Sequence, residues 1–208
     1  MMHRHHLLSL YVGLVLTSGT AFAQPAPVAQ AGPVRLRGTI DAVSYGALDM
    51  SVRGGNKIHV LLPAVLRTTY VVAAKLSDIQ PDSFIGTAAA PQPDGTLKAL
   101  EVHVFPPSMR GSGEGFRPYD LEGGGSTMTN GTVGSLVGTT GRVATVKYGN
   151  EEKKVLIPDD VPVVSFEPTD RSALKAGARV IVNGQRAVDG TVTAAAVNIG
   201  KDGLTPPM

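Results

Sequence analysis

The sequence predicts an all-β fold in which one small barrel-like unit occurs twice in tandem. Three observations lead there. Shifted by 95 residues, the stretch 60–102 aligns with 155–197 without a gap, so that "VLLP" falls on "VLIP" and "DGTLKALEVHV" on "DGTVTAAAVNI". Much of the chain alternates polar and apolar residues with a period of two, as a strand with one buried face does. Its 25 glycines and 15 prolines suit short strands separated by many turns.

The first copy, 34–105, opens with the alternating run "VRLRGTIDAV" (34–43). A hairpin over 48–63 follows, turning at Gly54-Gly55-Asn56, residue types that accept a positive φ. Pro63 closes that strand, because proline has no N–H for a central ladder. The stretch 73–83 leaves room for about one helical turn, with Ser77 in position to cap it. Strands resume at 84–90 and after the Asp94-Gly95 turn. The second copy, 130–200, repeats the plan. Gly131-Thr132-Val133 answers Gly38-Thr39-Ile40 at a shift of 93, and a hairpin over 142–158 turns at Gly149-Asn150. Pro158 answers Pro63, Ser172 answers Ser77, and Asp189-Gly190 makes the last turn. Five to six short strands in about 70 residues, with a helical turn between the third and fourth, fit a small closed barrel of the OB type. A small β-sandwich is the alternative.

Outside the copies the composition changes. Residues 1–23 read as a secretory signal: a basic start, an apolar run over 7–16 and Ala21-Phe22-Ala23 as the cleavage site, cut after Ala23. That run is shorter than the roughly 20 residues a spanning helix needs. The mature chain is therefore expected in a periplasm or outside the cell, with no stable membrane insertion. His3, His5 and His6 would leave with the signal. Residues 24–33 and 201–208 are expected to be disordered, and 106–129 is expected to be a Gly/Pro-rich linker. The absence of cysteine excludes a disulfide framework, a zinc–thiolate site and a thiol nucleophile. The formal net charge is +2, with Lys and Arg scattered, which argues against a nucleic-acid partner.

Chemistry-bearing residues concentrate in the linker. Arg110, Glu114, Phe116, Arg117, Tyr119, Asp120 and Glu122 fall within 13 residues, and the first six are the expected partner-binding set. A metal reading draws on His103, Glu114, Asp120 and Glu122, although nothing matches a calcium loop or a zinc spacing. His59 and His103, each on an expected strand, read as partly exposed surface residues. Ser172-Ala173-Leu174-Lys175 has the form S-x-x-K, but its companion elements are missing and Ser77 answers Ser172 without the lysine. No nucleophile elbow, zinc-protease motif or phosphate loop occurs, so no cofactor and no enzymatic activity are expected.

The phrases "AAAPQPDGTLKALEVHVFPPSMRGSGEGFRPYDL" (88–121), "STMTNGTV" (126–133) and "IGKDGLTPPM" (199–208) resemble an exported proteobacterial family of unknown function with OB-like β-barrel repeats. Its members often carry the automatic name "metal ABC transporter permease". A permease needs several spans, so the resemblance implies at most an accessory role beside a transporter. Members more usually carry His at the position of Phe116 and Trp at that of Tyr119. The expected function is that of a non-enzymatic periplasmic binding or interaction module whose partner is another envelope protein or a small ligand. The alternatives are a metal-binding accessory protein of a metal transport system and, more remotely, an enzyme acting on an envelope polymer.

Overall fold

A computed structural model describes residues 31–121, 124–138 and 142–207. The expected signal segment 1–23 and the stretch 24–30 lie outside the described residues.

The described chain is all-β. In chain order the strands are β1 (Gly32–Val43), β2 (Ala47–Val52), β3 (Lys57–Leu61), β4 (Arg67–Ala73), β5 (Phe84–Pro91), β6 (Leu97–Val104), β7 (Gly115–Pro118), β8 (Thr127–Val137), β9 (Arg142–Tyr148), β10 (Glu151–Ile157), β11 (Val163–Thr169), β12 (Arg179–Arg186) and β13 (Val192–Gly200). The helical content consists of single 3-10 turns, at Leu76–Asp78, Pro107–Met109, Arg171–Ala173 and Lys201–Gly203.

The turns form where the sequence has the right residues. Gly54 and Gly55 take φ of 91° and 85° between β2 and β3, and Gly149 takes 51° between β9 and β10. The carboxylates of Asp94 and Asp189 accept from the N–H groups of Thr96 and Thr191 at 3.0 and 2.9 Å, tying the β5–β6 and β12–β13 turns in the same way. The expected serine caps are replaced by neighbouring carboxylates. Asp78 accepts from the Lys75 N–H at 2.8 Å and Asp170 from the Ser172 N–H at 2.7 Å, because both serines sit inside the turn.

All thirteen described strands belong to one sheet, ordered β10-β9-β8-β5-β6-β11-β4-β13-β12-β1-β2-β3, with β7 beside β8. At each end the sheet closes on itself. β3 meets β13 in parallel (Val60 with Val192, Leu61 with Thr193), completing a circuit of β1, β2, β3, β13 and β12. β10 meets β6 in parallel (Val155 with Leu97, Leu156 with Lys98), completing a second circuit of β8, β9, β10, β6 and β5. Between the circuits β4 and β11 run antiparallel, from Thr68 opposite Thr169 to Ala73 opposite Val164.

Each circuit thus takes three strands from one half of the chain and two from the other. Two self-contained units over 34–105 and 130–200 are not what the hydrogen bonds describe. After running along β13, β4 crosses to the other circuit, and the chain enters it as β5. The order reads the same from both ends once β8 to β13 are matched with β1 to β6. Gly38 and Gly131 illustrate the match. A Cβ on either would collide with a backbone carbonyl of the next strand, Ser51 for one and Lys147 for the other, so only glycine lets those strands approach.

Each circuit encloses its own core. Leu36, Ile40, Leu48, Met50, Val60, Val182, Val197 and Ile199 fill the first, and Leu174 from the turn after β11 plugs it. Ile85, Val102, Val133, Val146, Val155 and Ile157 fill the second, which Ile79 plugs from the turn after β4. Val71, Val164, Phe166 and Ile181 form a third cluster where the circuits meet.

The described parts of two segments expected to be irregular are ordered. Within 106–129, β7 pairs with β8 (Gly115 with Asn130, Pro118 with Thr127), and Thr127 onward already belongs to β8. In the tail, Leu204 packs on the third cluster and Pro206 is buried. Strand pairing in the first segment and apolar anchors in the second therefore outweigh their Gly/Pro content.

Candidate functional site

The segment 106–121 acts as a strap, and the side chains expected to meet a partner make contacts within the molecule. Arg110 donates to the Asp82 carbonyl and, at 3.2 Å, to the Thr132 hydroxyl, with its guanidinium 6.0 Å above the Phe84 ring. Glu114 accepts from the Gly149 N–H at 3.0 Å. Arg117 donates to the Gly113 carbonyl at 2.9 Å. The Lys153 ammonium lies 4.8 Å from the centre of the Phe116 ring, which stays 41% exposed at the edge of β7.

The last two expected partner residues reach the other circuit. Tyr119 lies under two guanidiniums of β1, Arg35 at 4.6 Å and Arg37 at 5.7 Å from its ring centre. Asp120 accepts from Arg37 Nη1 and Nη2 at 3.0 Å each and from Arg35 Nη1 at 2.7 Å. These bonds, Arg37's foremost, hold the Asp120 carboxyl at about 2, below the ordinary range, even though partial burial opposes ionisation. Burial also opposes charge on Arg37, but Asp120 outweighs it and Arg37 shifts up. The Arg117 guanidinium shifts down, by burial first and then by the positive charge of Arg35.

The strap thereby lands on a basic face that the sequence did not single out. Alternation along β1 turns Leu36 and Ile40 into the core and Arg35, Arg37 and Thr39 outward. Register then sets Thr39 opposite Arg179 on β12 and opposite Ser51 on β2, while the Arg53 N–H donates to the Arg37 carbonyl. Arg35 and Arg37 on β1, Arg179 on β12 and Arg53, just past the end of β2, are consequently brought side by side. A cavity of about 270 Å³ lies there, walled by Arg37, Arg53, Arg179, Thr39 and Ser51 and by Thr205 of the tail. The sequence signal was the spacing of Arg35 and Arg37 on a strand. The contributions of Arg53 and Arg179 came from pairing between distant segments.

The metal-candidate residues are not brought together. His103 is buried on β6, 3% exposed, where Nδ1 lies 3.2 Å from Glu101 Oε1 and the ring meets Phe105 and Phe166 edge-on. Glu114 and Asp120 serve the strap contacts above, and Glu122 lies outside the described residues. Among the described residues no group of three or more His, Cys, Asp or Glu side chains is placed to hold a metal ion. His59 is exposed, as expected, and pairs with Asp49 at 2.7 Å. His103 is the exception to the surface expectation, because its ring packs against Phe105 and against Phe166 of β11. No helix among the described residues is long and apolar enough to cross a membrane. No family model, curated protein or solved structure matches the chain.

Proposed function

We propose that the chain is a non-enzymatic periplasmic binding protein, made of two OB-like barrels that exchange strands between two copies of one unit. It takes its ligand or envelope partner on the arginine face of β1, β2 and β12. The OB-like reading is supported by the plan of each circuit: a three-stranded meander, a plugging helical turn, a hairpin, and a parallel contact between the third and fifth strands. The binding reading is carried by one observation, the convergence of Arg35, Arg37, Arg53 and Arg179 beside a cavity where the strap crosses the face. Like charges gathered at a cleft raise the local concentration of oppositely charged ligands.

Thermal unfolding of the exported protein against a panel of anionic envelope components tests this reading. A ligand present at 100 times its dissociation constant stabilises by about 2.7 kcal/mol. That moves the midpoint of a protein this size by several degrees, at roughly 2–4 °C per kcal/mol. A salt-sensitive shift that disappears in Arg35→Ala/Arg53→Ala supports the reading. The absence of a shift with every component tested contradicts it.

A further inference from the structure

We infer that the cleft between β4, β12, β13 and the strap is a second site, separate from the arginine face, for a small sugar acid: a ring bearing one carboxylate and several hydroxyl groups.

Register builds the floor of this cleft. Arg67 on β4 pairs with Ala196 on β13, which pairs with Asn183 on β12, and two residues further along Thr69 pairs with Asn198. Paired residues on neighbouring strands share a face of the sheet, and so do residues two apart on one strand. Arg67, Thr69, Asn183 and Asn198 therefore stand together. With Ser108 and Met109 of the strap they line a cavity of about 640 Å³, within the range of roughly 300 to 1,000 Å³ that small-molecule sites occupy. Met109 packs on the cluster of Val71, Val164, Phe166 and Ile181, which seats the strap wall. In the other copy the positions 95 residues earlier are Glu101 for Ala196 and His103 for Asn198, and both are buried. The cleft is thus not a by-product of the repeated plan.

The polar groups of the cleft are unspent. Arg67 is exposed, and its guanidinium has no hydrogen-bond or ion-pair partner among the described residues. The side chains of Thr69, Asn198 and Ser108 likewise have none there. Arg35 Nε donates to Asn183 Oδ1 at 3.1 Å, which fixes that amide and leaves its NH2 group to donate.

These groups select the ligand class. No Asp or Glu lines the cavity, so a cation would find no carboxylate and Arg67 has no counter-charge beside it. A single guanidinium fork satisfies one carboxylate, as Arg37 does for Asp120. Amides and hydroxyls both donate and accept, as the hydroxyls of a sugar do. An apolar ligand would strip water from these groups and return no hydrogen bond. Met109 and Leu66 offer an apolar surface for the C–H face of the ring.

Isothermal titration of the full chain with glucuronate, galacturonate, glucose and acetate tests the site. Wild type, Arg67→Gln and Asn198→Ala are compared, with Lys98→Ala on the other circuit as a control, and circular dichroism checks the fold of every variant. The inference expects one of the two hexuronates to bind one to one, at least tenfold more tightly than glucose or acetate. It also expects at least a tenfold loss in Arg67→Gln, a smaller loss in Asn198→Ala and none in Lys98→Ala. No binding of either hexuronate, equal binding of glucose or acetate, or an unchanged constant in Arg67→Gln overturns it. Loss of hexuronate binding in Arg35→Ala/Arg53→Ala with Arg67→Gln unaffected would move the ligand to the arginine face, which overturns this site and leaves the binding reading standing.

Discussion

Asp120 grips Arg37 with both carboxylate oxygens, Oδ2 to Nη1 and Oδ1 to Nη2, each at 3.0 Å. One residue lies on the strap leaving the second circuit and the other on β1 of the first. This contact converts a Gly/Pro-rich connection into a fastening between the two closed ends of the sheet.

The fastening has a pH signature. Asp120 is held at about 2 in the folded protein, against about 3.9 for an unperturbed aspartate. A depressed carboxyl pKa contributes stability that is fully present above the unfolded value and lost as pH falls through the folded one. The Asp120 side chain is 51% exposed, so solvent screening limits the contribution to about 1 kcal/mol. Asp120→Asn should therefore melt about 2–4 °C below wild type at pH 7. The gap should narrow as pH falls from about 4 to about 2. Melting curves across that range check it, and a gap that stays constant down to pH 2 contradicts it.

Gly86 on β5 has a neighbour that forbids a side chain. A Cβ there would overlap the His103 imidazole at Nε2 and crowd Asn130 Oδ1. Gly86→Ala should cost about 1–3 kcal/mol by overpacking. Gly86→Ala/His103→Ala should then be more stable than the sum of the two single losses, since the pair shares one volume. Urea titrations of the four proteins measure the coupling, and strict additivity would refute this account of the contact.

Glu101 and His103 share one buried face of β6 at 1% and 3% exposure, and Glu101 Oε2 has no hydrogen-bond partner among the described residues. His103→Leu removes the ring that meets Glu101 Oε1, so it should cost about 1–3 kcal/mol from the group left unsatisfied. Glu101→Leu/His103→Leu should recover most of that loss, because an apolar pair needs no partner there. A double variant less stable than His103→Leu would show that the pair stabilises the fold beyond its own hydrogen bond.

The sequence revealed the strands and turns well, because period two, Gly54-Gly55, Gly149 and the two Asp-Gly turns act locally. Ile79 and Leu174, the two plugs, lie 95 residues apart, the same shift that relates the two aligned stretches. The sequence could not reveal which half supplies β5 and β12. The stretches 84–90 and 179–185 both read as strands, so the local pattern carries no information about which of them β1 pairs with. The strap was misjudged for a related reason. Its glycines and prolines are local signals, whereas Tyr119 and Asp120 are fixed by arginines more than eighty residues away in the chain. Arg53 and Arg179 stayed hidden because each looks like an ordinary surface charge until register sets it beside Arg37.

The exchange of strands between the two halves is the central claim, and cysteine pairs test it most directly because the chain has no cysteine of its own. Thr39 on β1 faces Arg179 on β12, while the matched position in its own half is Phe84 on β5. Opposed residues on antiparallel strands lie within disulfide range, with Cα atoms about 4.5–5.5 Å apart. Mild oxidation of Thr39→Cys/Arg179→Cys and of Thr39→Cys/Phe84→Cys, read by mass spectrometry on monomeric protein, decides the matter. The account predicts a rapid internal disulfide in the first protein and free thiols in the second. A disulfide in the second and none in the first would mean that each half closes its own circuit.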